Sequence, residues 1–447
     1  MRITSHQKTA ARAALAALVL FCGHAFAAIP IQRWTQPSGA AVYLVESQTL
    51  PMVDVRLEFD AGGRRDPADK PGRASIAASM TSKGLEARDG RPALDENQLS
   101  EAWADLGATF GAGASSDRMS FTMRSLTYPD VLPKAIDLAS RQMGEPSFPD
   151  AIWQRDRQRM AAAIREANTK PATLASRAFA SAVFGTHPYG NEVTEASLGR
   201  IAVQDMRDAY KLVQACRAKV TIVGAVNRAQ ADALVTAILG RLPSAGKCEP
   251  LPDVAEVVAL TAPVVKAIPF ASAQAHVLIG QPGYKRNDPD YFLLLVGNYV
   301  LGGGGFVSRL TDEVREKRGL SYSVYSYFAP GLHAGAFTIG LQTRPDQTAQ
   351  AVKVARDVLA GYVAGGPTDV ELKAAKDNLI GGFPLLIDSN RKLLDNVANI
   401  AWYDLPLDYL DTWTSRVQRV TAAEIKAAFG RKLQPERMVI VTVGAAV

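Results

Sequence analysis

The chain has 447 residues, and its 50 Lys and Arg residues against 44 Asp and Glu residues give it a formal net charge of +6. A chain of this length can form two or more domains, each with its own hydrophobic core. Its basic residues are spread along the sequence without interleaved aromatic residues, and this distribution argues against nucleic-acid binding.

The N-terminus has the pattern of an export signal. Three basic residues precede an apolar run at residues 13–21, and Ala-Phe-Ala at residues 25–27 is a typical cleavage site. The run is too short to cross a bilayer, which argues against a membrane anchor. We therefore predict a cleaved signal peptide at residues 1–27 and a periplasmic protein without a membrane span. Cleavage removes three basic and no acidic residues, so the formal charge would fall from +6 to +3.

The remaining sequence predicts two similar halves that each mix strands with long helices. In the first half, residues 53–59 and 119–123 alternate as strands do, and helices are predicted at 95–106, 151–167 and 173–184. In the second half, a strand is predicted at 334–341, and helices are predicted at 348–363, 369–381 and 391–403. Each half ends with an amphipathic segment followed by a strand, at 200–224 and again at 419–444.

The repeat indicates an internal duplication. Apolar positions of the two half-ends coincide at an offset of 219 or 220 residues, which is the length of a domain. A Pro- and Ala-rich stretch at 242–263 separates the halves. We predict an α+β protein with two homologous domains, at residues 28–246 and 247–447, each a mostly antiparallel sheet backed by helices on one face.

Few residues of the predicted mature chain suit a metal. His187, His276 and His333 are far apart in sequence, and no Cys-x-x-Cys occurs, so a local zinc motif is excluded. Cys216 and Cys248 are its two cysteines. An oxidising compartment would permit a disulfide between them, and two unpaired thiols are an equal alternative.

One segment of the second half has the residue types of a binding site. A glycine run at 302–305 precedes a charged helix that contains Arg315, and a predicted strand at 321–328 begins beside Tyr322. A guanidinium and a phenol held together can grip a peptide carbonyl or a developing oxyanion. The run lacks the Gly-Lys-Ser/Thr ending of a phosphate loop. A tight turn between two helices is its plain interpretation, and peptide contact through Gly303, Gly304 and Gly305 is the functional one.

Four blocks in order resemble the pitrilysin and mitochondrial processing peptidase family of zinc proteases. They are residues 62–66 with 72–80, residues 184–190, the strand that ends at Gly224, and residues 301–324 with Ser-Arg-Leu and Arg-x-x-x-Gly-Leu-x-Tyr. The resemblance implies two similar α+β domains per chain. In catalytic members the helix matching 72–80 carries His-x-x-Glu-His, which binds zinc and supplies the general base.

The zinc ligands of the family are missing at the matching positions. Ser75, Ala78 and Ser79 replace the two histidines and the glutamate, and a later helix has alanines and an isoleucine at 162–164 where a third ligand is expected. Serine hydroxyls and alanine methyls supply neither the imidazole nor the carboxylate that zinc prefers. We therefore expect no metal and no other cofactor in this chain.

The resemblance also assigns a role to the second half. In the family, an arginine and a tyrosine at the spacing of Arg315 and Tyr322 reach the zinc site and bind substrate, and in split members they belong to a separate subunit. This implies a non-zinc subunit of a periplasmic heterodimeric zinc endopeptidase, inactive alone. Its expected partners are a homologous subunit that carries His-x-x-Glu-His with the zinc, and a peptide substrate. The alternatives are an inert scaffold or peptide-binding subunit of the same fold, and a peptide-capture chaperone that acts as a homodimer.

Overall fold

The computed structural model of the protein describes residues 29–243 and 247–445, so the predicted signal peptide lies outside the described residues. The strands of the first half are β1 (Gln32–Thr35), β2 (Ala41–Glu46), β3 (Met52–Phe59), β4 (Gly84–Leu85), β5 (Leu94–Asp95), β6 (Thr109–Ala114), β7 (Met119–Leu126) and β8 (Lys219–Gly224). Those of the second half are β9 (Val264–Ile268), β10 (Ala275–Pro282), β11 (Val324–Phe328), β12 (Ala336–Thr343) and β13 (Val439–Val443).

Helices connect these strands in both halves. Those of the first half are α1 (Arg73–Met80), α2 (Glu96–Asp105), α3 (Leu132–Gly144), α4 (Asp150–Ala167), α5 (Pro171–Phe184), α6 (Glu195–Arg200), α7 (Val203–Tyr210) and α8 (Arg228–Leu239). Those of the second half are α9 (Tyr291–Asn298), α10 (Thr348–Gly365), α11 (Asp369–Gly382), α12 (Asn390–Trp402), α13 (Tyr409–Arg419) and α14 (Ala422–Lys432). The helices predicted from the sequence match α2, α4, α5, α10, α11 and α12 to within two residues at each end.

Five strands of the first sheet have the same topology as the five strands of the second, which agrees with the predicted duplication, and β1 is an additional edge strand of the first sheet. The first sheet has the order β1-β2-β8-β3-β7-β6, and the second, read from its other edge, has the order β9-β13-β10-β12-β11. In each sheet one parallel pair, β2 with β8 or β9 with β13, accompanies pairs that are otherwise antiparallel. The mostly antiparallel α+β fold is therefore confirmed. The described residues between α8 and β9 form no helix or strand, and a domain boundary at 246 stays a prediction.

The halves exchange a helix, which the sequence did not predict. Helix α5 of the first half packs on the second sheet, where Phe179 and Val183 contact a row of valines on β13. Helix α12 of the second half packs on the first sheet. The two helices begin 219 residues apart, at Pro171 and Asn390, so the exchange follows the duplication. Apolar periodicity shows that a helix has a buried face but not which sheet covers it.

Polar contacts hold α12 on the first sheet. Arg56 on β3 forms an ion pair of 2.5 Å with Asp395, and Arg118 Nη2 donates to Asn399 Oδ1 over 2.8 Å. Lys219 on β8 donates to the carbonyl oxygen of residue 401, also over 2.8 Å. The α5 contact with the second sheet is apolar, so the two junctions differ in chemistry.

Glu58 lies under α12 and gives a pH dependence to stability. Its side chain is buried 2.9 Å from Arg118 Nη1, and burial raises the pKa of Glu58 to about 7 despite the neighbouring cations. Because the folded-state pKa lies above the value of about 4.3 in an unfolded chain, the protonated form favours folding at low pH, and this stability is lost as the pH rises through 7. We expect Glu58→Gln to make the melting temperature fall less between pH 5.5 and pH 8 than it does in the wild type. Equal slopes in thermal melts of the two proteins would contradict this assignment.

The turn at Pro188–Gly190 joins the two halves. The hydroxyl of Tyr189 donates to Asp117 Oδ1 over 2.6 Å, at the tip of the β6–β7 hairpin. The other oxygen of Asp117 accepts the backbone N–H of Leu332 over 3.0 Å, from the loop between β11 and β12. The rings of His187 and His333 are 5.0 Å apart beside these bonds. The resemblance block at 184–190 therefore has a packing role at this junction.

Cys216 and Cys248 are bonded to each other, which decides between the two alternatives left open by the sequence. The bond closes a loop with a sequence separation of 32 residues. In the chain-entropy account, a loop of this size contributes about 3–4 kcal/mol to folding. We expect Cys216→Ser with Cys248→Ser, or reduction of the wild type, to lower the free energy of unfolding by this amount. The check is a urea titration with and without reductant, and the double serine variant is the control that should not respond to the reductant.

Candidate functional site

Helix α1, which matches the zinc-binding helix of the family, is held firmly at its start. Asp66 accepts the backbone N–H groups of Gly72 and Ala74, each over 3.0 Å, and burial raises the pKa of this carboxyl to about 6. Gly72 has φ +95°, a left-handed conformation that favours glycine. At Gly62, a Cβ would lie 2.3 Å from the backbone nitrogen of Arg118. The first resemblance block therefore holds α1 against the sheet, and these contacts do not depend on which residues occupy the positions matched to the zinc ligands.

The family's zinc positions on α1 do not fit zinc. Ser75 and Ser79 are exposed on the helix, and Ala78 between them is buried. The Ser79 hydroxyl donates to the carbonyl oxygen of Ile76 over 2.9 Å, which is a bond within the helix. On α4, the exposed positions 162 and 163 are alanines. Within residues 29–243 and 247–445, no three His, Cys, Asp or Glu side chains are grouped so that they could hold a metal ion.

Arg315 and Tyr322 lie together at the end of a wide helical turn. Arg315 belongs to the π-helical turn Thr311–Glu316, whose i→i−5 bonding includes the N–H of Lys317 with the carbonyl of Asp312 over 2.9 Å. Such turns are rare and occur often at functional sites. The predicted strand at 321–328 begins later, at Val324, and the carbonyl of Ser323 just before it accepts the hydroxyl of Ser321 over 2.7 Å.

The two side chains are in contact, as the spacing suggested. The guanidinium carbon of Arg315 lies 4.8 Å from the centre of the Tyr322 ring, within the range of a cation–π contact. Tyr322 is 81 % exposed, so the pair can be reached from solvent. Arg315 also lies 3.3 Å from the carboxylate of Glu316 through Nε. A guanidinium with donors in its plane and a phenol beside it can bind a carbonyl oxygen or a carboxylate.

Packing accounts for part of the glycine run. A Cβ at Gly302, Gly303 or Gly304 would lie 2.4, 2.8 or 2.7 Å from atoms of Ser326, Asn298 or Tyr299. Gly305 has free space around it and φ +61°, so its backbone conformation favours glycine. Gly302 and Gly303 end the π-helical turn Tyr299–Gly303, which continues α9, and Gly305 begins the turn Gly305–Val307, so part of the run is helical and not the tight turn of the plain interpretation.

The structure brings part of the run to an open cavity. Gly303 and Gly305 line a cavity of about 590 Å³ together with Tyr325 and Tyr327, and Gly304 is not in its lining. Neither Arg315 nor Tyr322 lines this cavity. Peptide contact by Gly303, Gly304 and Gly305 stays a prediction, and the close packing gives these glycines a second reason to be present.

Phe306, for which no role was predicted from the sequence, also lies beside Arg315. Its ring centre lies 4.7 Å from the guanidinium carbon of Arg315, close to the Tyr322 distance of 4.8 Å, and the ring is 74 % exposed. An aromatic residue that directly follows a glycine run is a signal that the sequence offered. Its distance of nine residues from Arg315 gave no reason to place the two side chains together.

The described helices include none that is long and apolar enough to cross a membrane. Family comparisons match most of the chain. Residues 41–197 match "Insulinase (Peptidase family M16)", and residues 200–379 match "Peptidase M16 inactive domain". These two matches cover both sheets except the first and last strands.

Curated relatives of similar length carry both kinds of name. An uncharacterized zinc protease of Streptomyces coelicolor is 26 % identical over 410 residues, which are 89 % of this chain and 86 % of the relative. The "Non-peptidase homolog YmxG" of Helicobacter pylori is 26 % identical over 424 residues, which are 91 % of this chain and 92 % of the relative.

Solved structures agree with the fold. A "peptidase M16 inactive domain" from Pseudomonas fluorescens has a TM-score of 0.87 and 34 % identity, over 93 % of this chain and 98 % of the other. The periplasmic protease PqqL of Escherichia coli has a TM-score of 0.78 and 18 % identity, over 93 % of this chain and 45 % of PqqL. The chain is a member of the peptidase M16 family, and its described residues include no group of side chains that could hold a metal ion.

Proposed function

We propose that the protein is the non-zinc subunit of a heterodimeric periplasmic M16 endopeptidase. The observation that carries the proposal is a contrast within one chain. Ser75, Ala78 and Ser79 stand at the positions that the resemblance aligns with the zinc ligands, while Tyr322 is 81 % exposed and in contact with Arg315, whose side chain is 28 % exposed. The exposed phenol and the partly exposed guanidinium can therefore donate hydrogen bonds to another molecule.

The partner in this proposal is a homologous subunit with His-x-x-Glu-His. Its zinc would polarise the scissile carbonyl and activate the attacking water. Arg315 and Tyr322 would donate hydrogen bonds to the peptide near that bond, where negative charge develops on the carbonyl oxygen. The coverage of PqqL supports a pair, because one chain of this length accounts for just under half of that protease.

A periplasmic location is part of the proposal. The N-terminal sequence has the pattern of an export signal, and the Cys216–Cys248 bond suits an oxidising compartment. Cell fractionation with a C-terminal tag should recover the protein, shortened by about 27 residues according to the signal-peptide pattern, in the periplasmic fraction. Recovery of the full-length chain in the cytoplasm would contradict this part.

The decisive test of the function is reconstitution. The purified chain is mixed with an M16 subunit from the same genome that carries His-x-x-Glu-His, and complex mass and cleavage of an unstructured peptide are measured. We expect a one-to-one heterodimer by native mass spectrometry. We also expect the mixture to cleave the peptide and neither subunit to cleave it by itself. A mixture that forms the heterodimer without cleaving peptides would favour the inert scaffold, for which the name of the Helicobacter relative is the supporting observation. A stable homodimer that binds peptide would favour the chaperone.

A further inference from the structure

The guanidinium of Arg315 contacts two aromatic rings. Its carbon lies 4.7 Å from the ring centre of Phe306 and 4.8 Å from that of Tyr322. Both rings come from short segments outside the regular strands and helices, one just before and one just after the turn that carries Arg315. The arginine is thus held by side chains, with Glu316 at 3.3 Å as its ion-pair neighbour.

Hydrogen bonds fix the backbone at Phe306, although its ring is exposed. It lies in the turn Gly305–Val307, which is closed by the N–H of Ser308 to the carbonyl of Gly305 over 3.1 Å. The hydroxyl of Ser308 donates to the same carbonyl over 2.8 Å and lies 3.0 Å from the hydroxyl of Thr311, and Ser308 is fully buried. These hydrogen bonds of Ser308 hold the backbone of the turn, while the ring of Phe306 is 74 % exposed.

Core packing does not explain this ring. An exposed phenylalanine leaves most of its apolar surface in water, so it gains little from the hydrophobic effect in the free chain. The ring contacts the charged guanidinium of Arg315. A contact with a ring face also leaves the N–H groups, which lie in the plane of the guanidinium, available to another molecule.

We propose that Phe306 is a positioning residue that holds the guanidinium of Arg315 beside Tyr322, so that its donors are directed at the peptide. This inference rests on the proposed function and adds a third residue to its donor pair. A long arginine side chain that is already ordered loses less entropy when it binds the transition state, so the contact should act mainly on kcat.

Three variants of Phe306 distinguish the effect of its aromatic ring from the effect of its side-chain size. In the reconstituted pair, Phe306→Ala and Phe306→Leu should each lower kcat about two- to fivefold, the size of an exposed cation–π contact, with KM unchanged within twofold. Phe306→Tyr keeps the aromatic face and should retain wild-type kcat. Val307→Ala is the matched control, because Val307 is 71 % exposed in the same turn and has no aromatic ring.

A double variant tests whether Phe306 acts through Arg315. If it does, Phe306→Ala combined with Arg315→Ala should be no slower than Arg315→Ala alone. An additional two- to fivefold loss in the double variant would overturn the inference, as would full kcat in Phe306→Ala while Arg315→Ala is impaired. In both cases the proposed function survives. If Arg315→Ala itself leaves kcat/KM unchanged, the proposed function fails and the positioning role fails with it.

A measurement on the isolated chain is independent of the partner. In a sample labelled with ¹⁵N-arginine, the side-chain Nε–H signal of Arg315, assigned with Arg315→Lys, should be shifted by the two ring currents. Phe306→Ala and Phe306→Leu should move this signal toward the position of a solvent-exposed arginine, and Phe306→Tyr should not. A signal that stays in place in Phe306→Ala would contradict the contact.

Discussion

Replacing Arg315 by alanine in the reconstituted heterodimer should lower kcat/KM by about 10²–10³-fold, the cost of removing one oxyanion-hole donor from an active site. The loss follows because the guanidinium would stabilise charge that appears only as the scissile carbonyl is attacked. Tyr322→Phe removes a single O–H donor, and the expected loss is toward the lower end of that range, about 10²-fold. Steady-state kinetics on one unstructured peptide measures both.

The matched controls lie in the same segment. Arg318→Ala removes a cation three residues from Arg315 that donates to the carbonyl of Glu313 over 2.7 Å, and Lys317→Ala removes a second exposed cation, which pairs with Asp312 over 2.8 Å. Both should keep kcat/KM within threefold of wild type, since surface substitutions rarely have large effects. Unchanged rates in Arg315→Ala and Tyr322→Phe, with the heterodimer intact, would show that the pair has no part in catalysis.

The second large effect concerns the exchanged helix α5. Phe179→Ala should lower the apparent free energy of unfolding by about 3–5 kcal/mol, the usual loss for a buried phenylalanine that leaves a cavity. Phe179 is 6 % exposed and packs on the second sheet, where a Cβ at Gly280 would lie 2.8 Å from its ring. Because the ring bridges the two halves, the cavity would weaken their junction as well as the core.

The same substitution at an exposed site is the control. Phe306→Ala should change the free energy of unfolding by less than about 0.5 kcal/mol, because Phe306 is 74 % exposed. Urea titrations followed by circular dichroism compare the two variants with the wild type. A loss below about 1 kcal/mol in Phe179→Ala would mean that α5 does not pack on the second sheet as described.

The sequence predicted the fold well where local patterns determine structure. The periodicity of α4, α5, α11 and α12 set their limits closely, and the repeat at 219 residues anticipated a sheet topology that occurs twice. It did not predict that Phe179 belongs to the core of the opposite half, because a period of 3.6 residues identifies an apolar face but carries no information on its partner.

The candidate site was predictable in part for a similar reason. The contact of Arg315 with Tyr322 followed from a family spacing within one helix–strand connection. The contact of Arg315 with Phe306 crosses a glycine turn whose shape depends on positive φ at Gly305 and on the buried Ser308 hydroxyl. Those features are conformational details of a single turn, and one sequence does not encode them in a readable pattern.

The measurement that bears most directly on the proposed division of labour is the metal content and unaided activity of the purified chain. Dialysed protein is incubated with one equivalent of zinc, desalted, and analysed by inductively coupled plasma mass spectrometry and by a peptide digest. We expect no stoichiometric zinc and no cleavage from this chain, and one zinc with cleavage once the His-x-x-Glu-His subunit is added. A zinc ion retained by this polypeptide, or digestion of the peptide in the absence of the second subunit, would contradict the account.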